Sequence, residues 1–515
     1  MLSERSQSNN QQFRTSTPGQ SELFSEGFGL HWIGKKETQQ LVDHSSTHSL
    51  KRISGIGIDE ERTNNLFIEG DNLKVLQTLQ ETYHEQIDLI YIDPPYNTGK
   101  NFIYDDNFEE TMKRYLQRCG ITNDNQRCKH THMSGRIHTN WLNMMYSRLL
   151  LAYKMLASDG VIVIHIDEKE ESNLELLLFE IFGEENRIGK LIWDKRNPKG
   201  DASKVAYQHE VIYVFAKKIT NYRNRVVLKR TKENVEQVLN KAKRLYAQIG
   251  KTMIPEDLKQ LAKKYNLPKE LLDKHKRIVD MSIVNELFQQ WLNRQVEFSE
   301  GLKAYKYIDE YGKVYRPVSM AWPNKKKAPD QYFVPLIHPI TGRTCAIPKR
   351  GWRNPPETMK RLLDEQQILF GCDEKTIPNR KYYLEEHMLE NIPSILRYGA
   401  SDDAFFAKIG LSFDNPKPYP FSKQLIQYFT HSDALVMDFF AGSGTTAHAV
   451  YEANKGDNGT RKYILVERQE AIKGQKYASI ASLAQERIRR SIELLNESDQ
   501  NEEQQDRGFK VYQLE

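Results

Sequence analysis

Long apolar runs are missing from this chain. No stretch approaches the roughly 18 uninterrupted apolar residues that a membrane span needs, and residues 1–20, with Gln7, Asn9, Asn10, Gln11 and Gln12, lack the apolar centre of a secretory signal. A cytoplasmic protein without membrane attachment is the expectation. Cysteine is scarce too: Cys119, Cys128, Cys345 and Cys372 are too few and too scattered for a disulfide framework in 515 residues, which fits a reducing compartment. An overall excess of one charge is also absent, since 74 Lys and Arg against 69 Asp and Glu leave only +5. At one domain per roughly 150 residues the chain holds about three units and can bury more than one core.

The basicity is regional. Between Lys217 and Asp280 there are 18 Lys and Arg and 7 Asp and Glu, so the rest of the chain is net negative. That window reads as helix, with Val235, Val238, Leu239, Ala242 and Leu245, then Leu258, Leu261, Ala262 and Tyr265, at spacings of three and four. Its charges suit either a solvated face or a phosphate-contacting surface. Ala321 to Arg353 carries Lys325, Lys326, Lys327, Arg343, Lys349, Arg350 and Arg353 among Trp322, Tyr332, Phe333 and Trp352. Base contacts use that mixture, and a basic rim round an aromatic core has the same composition.

Residues 1–25 are polar and without period, which predicts a disordered tail. From Leu66 onward short β-branched runs appear at Ile87–Ile92, Val161–Ile166 and Ala434–Phe440, with Val211–Ala216 and Tyr463–Val466 as companions. Continuous rather than alternating, they read as buried parallel strands. Helical patterns such as Trp141–Ala157 separate them, which is the α/β signature. The rhythm lapses between about 221 and 405, so the expected layout is 26–220 and 406–492 as two halves of one α/β domain, 221–405 as an α+β insert, and 493–515, with seven acids and two bases, as an acidic C-terminal tail.

Two loops carry the chemistry. Asp93-Pro94-Pro95-Tyr96 directly follows the first strand. Two prolines fix φ and supply no N–H, so carbonyl oxygens stand in a rigid line beside the Asp93 carboxylate. Such a site accepts hydrogen bonds. The exocyclic amine of a nucleobase, held by Asp93 and the Pro94 carbonyl, would have its lone pair turned toward an electrophile, with Tyr96 as a stacking face. The second loop, Asp438-Phe439-Phe440-Ala441-Gly442-Ser443-Gly444-Thr445-Thr446, is a strand, a glycine turn and a helix. Gly442 and Gly444 allow close backbone approach, and the helix N-terminus favours a negative group. Glu467, at the end of the next strand, is placed to accept from ribose hydroxyls. The third glycine of a dinucleotide fingerprint is missing, which argues against NAD. In an open α/β sheet, distant loops at strand carboxyl ends can share one crevice. An amine-orienting loop facing an adenosine-like cofactor predicts methyl transfer from S-adenosylmethionine, where alignment is the protein's main task and no metal is needed.

The Asp93–Tyr96 and Asp438–Thr446 motifs resemble the catalytic and cofactor motifs of DNA amino-methyltransferases, in the order of the permuted β group. Glu69-Gly70-Asp71-Asn72 resembles the segment whose Asp lies near the cofactor's adenine, and Asn415-Pro416-Lys417-Pro418 the segment packing on its methionine end. Gly29 to Lys35, Tyr311 to Arg316 and Gly508-Phe509-Lys510-Val511-Tyr512 resemble more closely the modification (Mod) subunit of type III restriction–modification systems. The resemblance implies a Rossmann-like methyltransferase fold with a mostly parallel sheet and a target-recognition insert. It also implies methylation of adenine N6 in double-stranded DNA after base flipping. Asp93, Pro94, Pro95 and Tyr96 would be catalytic; Asp71, Lys417, Pro418, Asp438, Phe440, Ala441, Gly442, Ser443, Gly444, Thr445 and Glu467 would bind the cofactor. A restriction (helicase and nuclease) subunit and a homodimer are compatible with it.

Rival readings are a DNA-binding specificity subunit without activity of its own, a cytosine-N4 methyltransferase, and an NAD-dependent oxidoreductase. Cys119, Cys128, His130, His132 and His138 are metal-ligating types, but C-x8-C-x-H-x-H does not match zinc spacings, and a loop is the preferred reading. His165 and His448 read as packing residues, and Asp373-Glu374-Lys375 as a surface triplet.

Overall fold

The run Ile87-Asp88-Leu89-Ile90-Tyr91-Ile92 is a strand over those six residues, with Ile87, Leu89, Ile90 and Ile92 wholly buried. The computed structural model describes residues 29–43, 46–97, 115, 129–199, 205–249, 281–469, 471, 477–498 and 505–515. It divides into two compact units, one comprising the chain up to Val227 and from Pro393 onward, the other Leu228–Ile392. The N-terminal 25 residues lie outside the described residues, as do Cys119, Cys128 and the helical pattern at 258–265.

In the first unit lie β1 (Leu50–Ile58), β2 (Leu66–Glu69), β3 (Ile87–Ile92), β4 (Leu156–Ile166), β5 (Arg187–Lys199) and β6 (Tyr207–Ala216). The second unit holds β7 (Lys229–Thr231), β8 (Tyr307–Ile308), β9 (Val314–Ser319), β10 (Ile368–Leu369), β11 (Asn379–Tyr383) and β12 (Leu389–Asn391). The first resumes with β13 (Ile395–Arg397), β14 (Leu435–Asp438), β15 (Lys462–Glu467) and β16 (Phe509–Leu514). Its ten strands form one sheet in the order β1-β16-β2-β15-β14-β3-β4-β6-β5-β13. From β16 to β4 neighbours run parallel. The helix Lys129–Met155 covers one face, with Trp141, Leu142, Met145, Leu149 and Ala152 packed on Ile90, Ile92, Ile162 and Ile164. Full burial of one such side chain is worth about 1.5–3 kcal/mol. Exposed ion pairs contribute about 1 kcal/mol or less each, so apolar packing fixes the sheet.

Several expectations need correction. Residues 493–515 are not an acidic tail: the helix Ile480–Ser498 runs into that stretch, and β16 pairs parallel with β2 and antiparallel with β1. Phe509 and Val511 are wholly buried there, and a charge count over the whole segment hides that alternation. The run Val211–Ala216 lies in β6, antiparallel to β4 rather than parallel, because burial on both faces gives the same apolar run in either direction. The insert boundaries move inward from 221 and 405. The helix Ile219–Arg225 belongs to the first unit, where Tyr222 Oη donates to Phe429 O, and β13 extends the large sheet beside β5. His130, His132 and His138 lie on the helix Lys129–Met155, not in a loop; a seam of Thr, Ser and Gly blurred its period.

In the second unit the stripe Val235, Val238, Ala242 and Leu245 packs against Val284, Phe288 and Leu292, leaving Lys243 and Arg244 exposed. A four-stranded sheet, β10-β11-β9-β8, completes an α+β architecture. Trp352 is wholly buried among Met320, Leu336 and Cys345, so it is core, while Lys325, Lys326, Lys327, Lys349, Arg350 and Arg353 are exposed. Asp373 closes a turn by accepting from Lys375 N and Thr376 N. Among the described residues no helix is long and apolar enough to cross a membrane, and no group of His, Cys, Asp and Glu could hold a metal ion.

Candidate active site

Strands β3 and β14 are parallel neighbours, with Leu89 opposite Val436 and Ile90 opposite Met437. Their carboxyl ends therefore deliver the turns after Ile92 and Asp438 to the same edge of the sheet. A cavity of about 330 Å³ lies between them. Asp93, Pro94 and Pro95 line one side; Asp438, Phe440, Ala441, Gly442, Ser443 and Thr445 line the other, with Lys417 and Glu467.

The first turn is held from outside. Trp141 Nε1 donates to Pro95 O at 2.7 Å. Asn97, in the left-handed region at φ +59°, donates through Nδ2 to the wholly buried Glu170 carboxylate. Glu170 also takes His138 Nδ1 at 2.7 Å and Asn173 Nδ2 at 2.6 Å. Within the turn, Tyr96 Oη donates to Asp93 Oδ1 at 2.5 Å. Lys417 Nζ sits 2.7 Å from Tyr96 Oη, 2.6 Å from Glu210 Oε2 and 3.4 Å from Asp93 Oδ2. Burial, with Glu210 alongside, raises the Asp93 pKa above the usual carboxylate range against the pull of Lys417. Burial also pushes the Glu210 carboxyl upward, but the charges of Lys417 and Lys195 outweigh it and hold Glu210 below its ordinary value.

The second turn is held in part by its own residues. Asp438 Oδ1 accepts Phe440 N at 3.0 Å and Oδ2 accepts Thr446 Oγ1 at 2.5 Å. Burial raises the Asp438 carboxyl to about 7. Gly444, at φ +76°, precedes the helix Thr445–Asp457, and its N–H donates to Ala441 O at 2.8 Å. Gly442, at φ +53°, donates its N–H to Glu467 Oε2 at 2.6 Å. A Cβ on Gly442 would meet nothing closer than 3.8 Å, so any side chain there would occupy cavity space. The open glycine turn, the helix N-terminus and the Glu467 carboxylate suit a ligand with an adenosine and an amino-acid end.

The remaining expected residues stand apart from that lining. Asp71 caps the helix Asn72–Leu79 through Lys74 N at 3.2 Å, and lies 3.9 Å from the buried Arg148. Its neighbour Asn72 donates to Phe439 O at 2.8 Å and accepts from Arg148 Nε at 2.7 Å, tying that helix to the glycine turn. Pro418 caps the helix Tyr419–Phe429, and Gly444 backs onto Ile488. Lys417 departs most from expectation: it lines the cavity, but its ammonium joins the Asp93–Tyr96 cluster. His165 is buried, with Tyr91 Oη 2.8 Å from Nε2, and burial lowers its pKa to about 3. His448 stacks on Tyr419. Sequence reading missed Glu210, Lys195, Trp141 and Glu170. An acid opening the apolar run Glu210–Ala216 was the available signal for the first.

A family model described as DNA methylase matches residues 87–476. The chain belongs to the DNA methylase family. The methylase is 32% identical over 509 residues to the type III restriction–modification enzyme EcoP15I Mod subunit of Escherichia coli, covering 96% of this chain and 72% of that protein. Against the StyLTI Mod subunit of Salmonella typhimurium it is 29% identical over 508 residues, covering 95% of this chain and 66% of the relative. Against the EcoPI Mod subunit of Escherichia phage P1 it is 30% identical over 491 residues, covering 91% and 68%. Membership makes it an S-adenosylmethionine-dependent DNA methyltransferase.

Proposed function

We propose that the methylase transfers a methyl group to adenine N6 in double-stranded DNA, as the modification subunit of a type III restriction–modification system acting in the cytoplasm. One observation carries the reading: the Asp93–Tyr96 and Asp438–Thr446 turns, on adjacent parallel strands, line a single cavity. S-adenosylmethionine supplies a methyl carbon already made electrophilic by its sulfonium. Asp93 and the Pro94 carbonyl accept the two N–H groups of the amine and aim its lone pair. On transfer the sulfonium would leave as a neutral thioether, and the proton released by the methylated nitrogen would pass along its hydrogen bond to the Asp93 carboxylate. Gly442 to Gly444 hold the cofactor's methionine end and Glu467 its ribose. A stacked base cannot enter the cavity, so the target must be flipped out, and unstacking costs a few kcal/mol. Tyr96 offers its ring to the flipped base while its hydroxyl stays on Asp93.

The unit Leu228–Ile392 would recognise the target, with Lys325, Lys326 and Lys327 among its exposed cations for phosphate contacts. The Mod names of the relatives support a restriction subunit as partner. The deciding experiment incubates the protein with labelled S-adenosylmethionine and duplex DNA, then digests the DNA to nucleosides. Label in N6-methyl-2′-deoxyadenosine is expected; label in N4-methyl-2′-deoxycytidine, or none with cofactor bound, would overturn the reading.

A further inference from the structure

Around Asp93 two carboxylates and two lysines surround one phenol, all within the first unit. Glu210, on β6, is buried, and its carboxylate is shared: Oε1 takes Lys195 Nζ, while Oε2 takes Lys417 Nζ at 2.6 Å and lies 3.1 Å from Tyr96 Oη, whose proton is on Asp93. Lys417 has two anions in reach and leans toward one, lying 2.6 Å from Glu210 but 3.4 Å from Asp93 Oδ2. The Lys417 ammonium also stands 5.2 Å from the Trp193 ring centre, and 5.0 Å from that of Tyr96 on its hydroxyl side.

We propose that Glu210 is a positioning residue for methyl transfer. By drawing the Lys417 ammonium to itself it keeps that cation from closing on Asp93, so Asp93 Oδ2 remains open to the incoming amine while Tyr96 Oη fixes Oδ1. This rests on the proposed reading of Asp93 as the amine acceptor. A direct Lys417–Asp93 contact would be a charge-assisted bond, stronger than the neutral amine's bond to the same oxygen, and would exclude the amine. A lysine wholly removed from Asp93 would fail differently, leaving the buried carboxyl without the charge that favours its ionised, accepting form. The geometry places Lys417 between these limits.

The test uses Glu210→Gln, Lys417→Met, the double variant and Glu210→Asp, measuring kcat, KM for DNA, cofactor affinity by calorimetry, and kcat against pH. Charged or titratable groups facing this cluster are Asp93, Tyr96, Lys417, Glu210 and Lys195, with Tyr91, His165, Asp167 and Asp438 around them. Asp93 must be ionised to accept, so activity falls on the acid side. E210Q should lower kcat by about tenfold to a hundredfold, a loss typical of misaligned reactants, with cofactor affinity within about twofold. Its acid limb should move to lower pH, because a negative neighbour is gone; that of K417M should move to higher pH, because a positive one is gone. The double variant should be no slower than K417M, since the lysine that Glu210 holds off Asp93 is already gone. E210D, which keeps the charge, should return the acid limb toward its wild-type position.

Unmoved acid limbs, additive losses in the double variant, or cofactor binding lost in step with kcat would overturn the inference and leave Glu210 a packing residue. Should E210Q unfold, the double variant against K417M carries the same decision, because equal kcat is expected only if Glu210 acts through Lys417. A wild-type protein that methylates no adenine fails the functional reading itself. An active wild type with an indifferent E210Q fails only this inference.

Discussion

The two turns that line the cavity are tied differently. The glycine turn holds several of its own groups, Asp438 taking Phe440 N and Thr446 Oγ1 and Ala441 O taking Gly444 N, and adds Glu467 and Asn72 from outside. The proline turn takes its support from far along the chain, from Trp141 on Pro95 O, Glu170 on Asn97, and Lys417 beside Tyr96. A turn with bonds of its own keeps part of its shape when a distant residue changes and yields most to changes inside it. A turn propped from outside can lose its alignment when a residue 40 or more positions away is altered.

The largest expected effect tests the separation of roles. Gly442→Asp should abolish detectable cofactor binding by calorimetry, because it adds a carboxylate to cavity space at a left-handed backbone position. Asp93→Ala should cost at least about a hundredfold in kcat through lost alignment while cofactor affinity stays within about twofold. Equal cofactor loss in both variants would erase the distinction between the turns.

Trp141→Phe sharpens the comparison from a distance. It removes the donor to Pro95 O but keeps a ring in the core, and should lower kcat about tenfold and Tm by a few degrees, in line with a hydrogen bond of about 1 kcal/mol. Cofactor affinity should not move. Thr446→Val is the counterpart inside the glycine turn: it removes the bond to Asp438 and should weaken cofactor binding several-fold, again for about 1 kcal/mol, with kcat at saturating cofactor little changed.

The last effect is read in stability against pH rather than in activity. Asp438 has its folded pKa near 7, above the ordinary unfolded value, so its protonated form is favoured by the fold. That contribution is complete below about pH 4 and is lost as pH rises to about 7, with each unit of difference worth about 1.4 kcal/mol at most. Melting of wild type against Asp438→Asn across that window should show the wild type losing relative stability as pH rises. Parallel curves would assign the slope to other groups.

Legibility followed the same division. Residues 87–92 and 435–438 were readable as buried strands because both faces of a parallel strand are covered, and the motifs after them carry their geometry in proline and glycine. Glu210 and Trp141 were not readable as site residues. Each looks like an ordinary strand or helix position, and its partner is set by which elements pack together. The strand Phe509–Leu514 was missed because an acidic surrounding masked a six-residue alternation whose partner, β2, lies at the other end of the sequence.

The amino-acid sequence alone determined the chemistry: an acceptor loop with two prolines, a glycine turn and a terminal carboxylate, each conformation dictated by its own residues. Tertiary structure alone decided that β14 lies beside β3, and that Lys417 stands between Glu210 and Asp93. Backbone rules act over a few residues, whereas contact between an ammonium and two carboxylates depends on sheet order, which is fixed by packing across the whole unit.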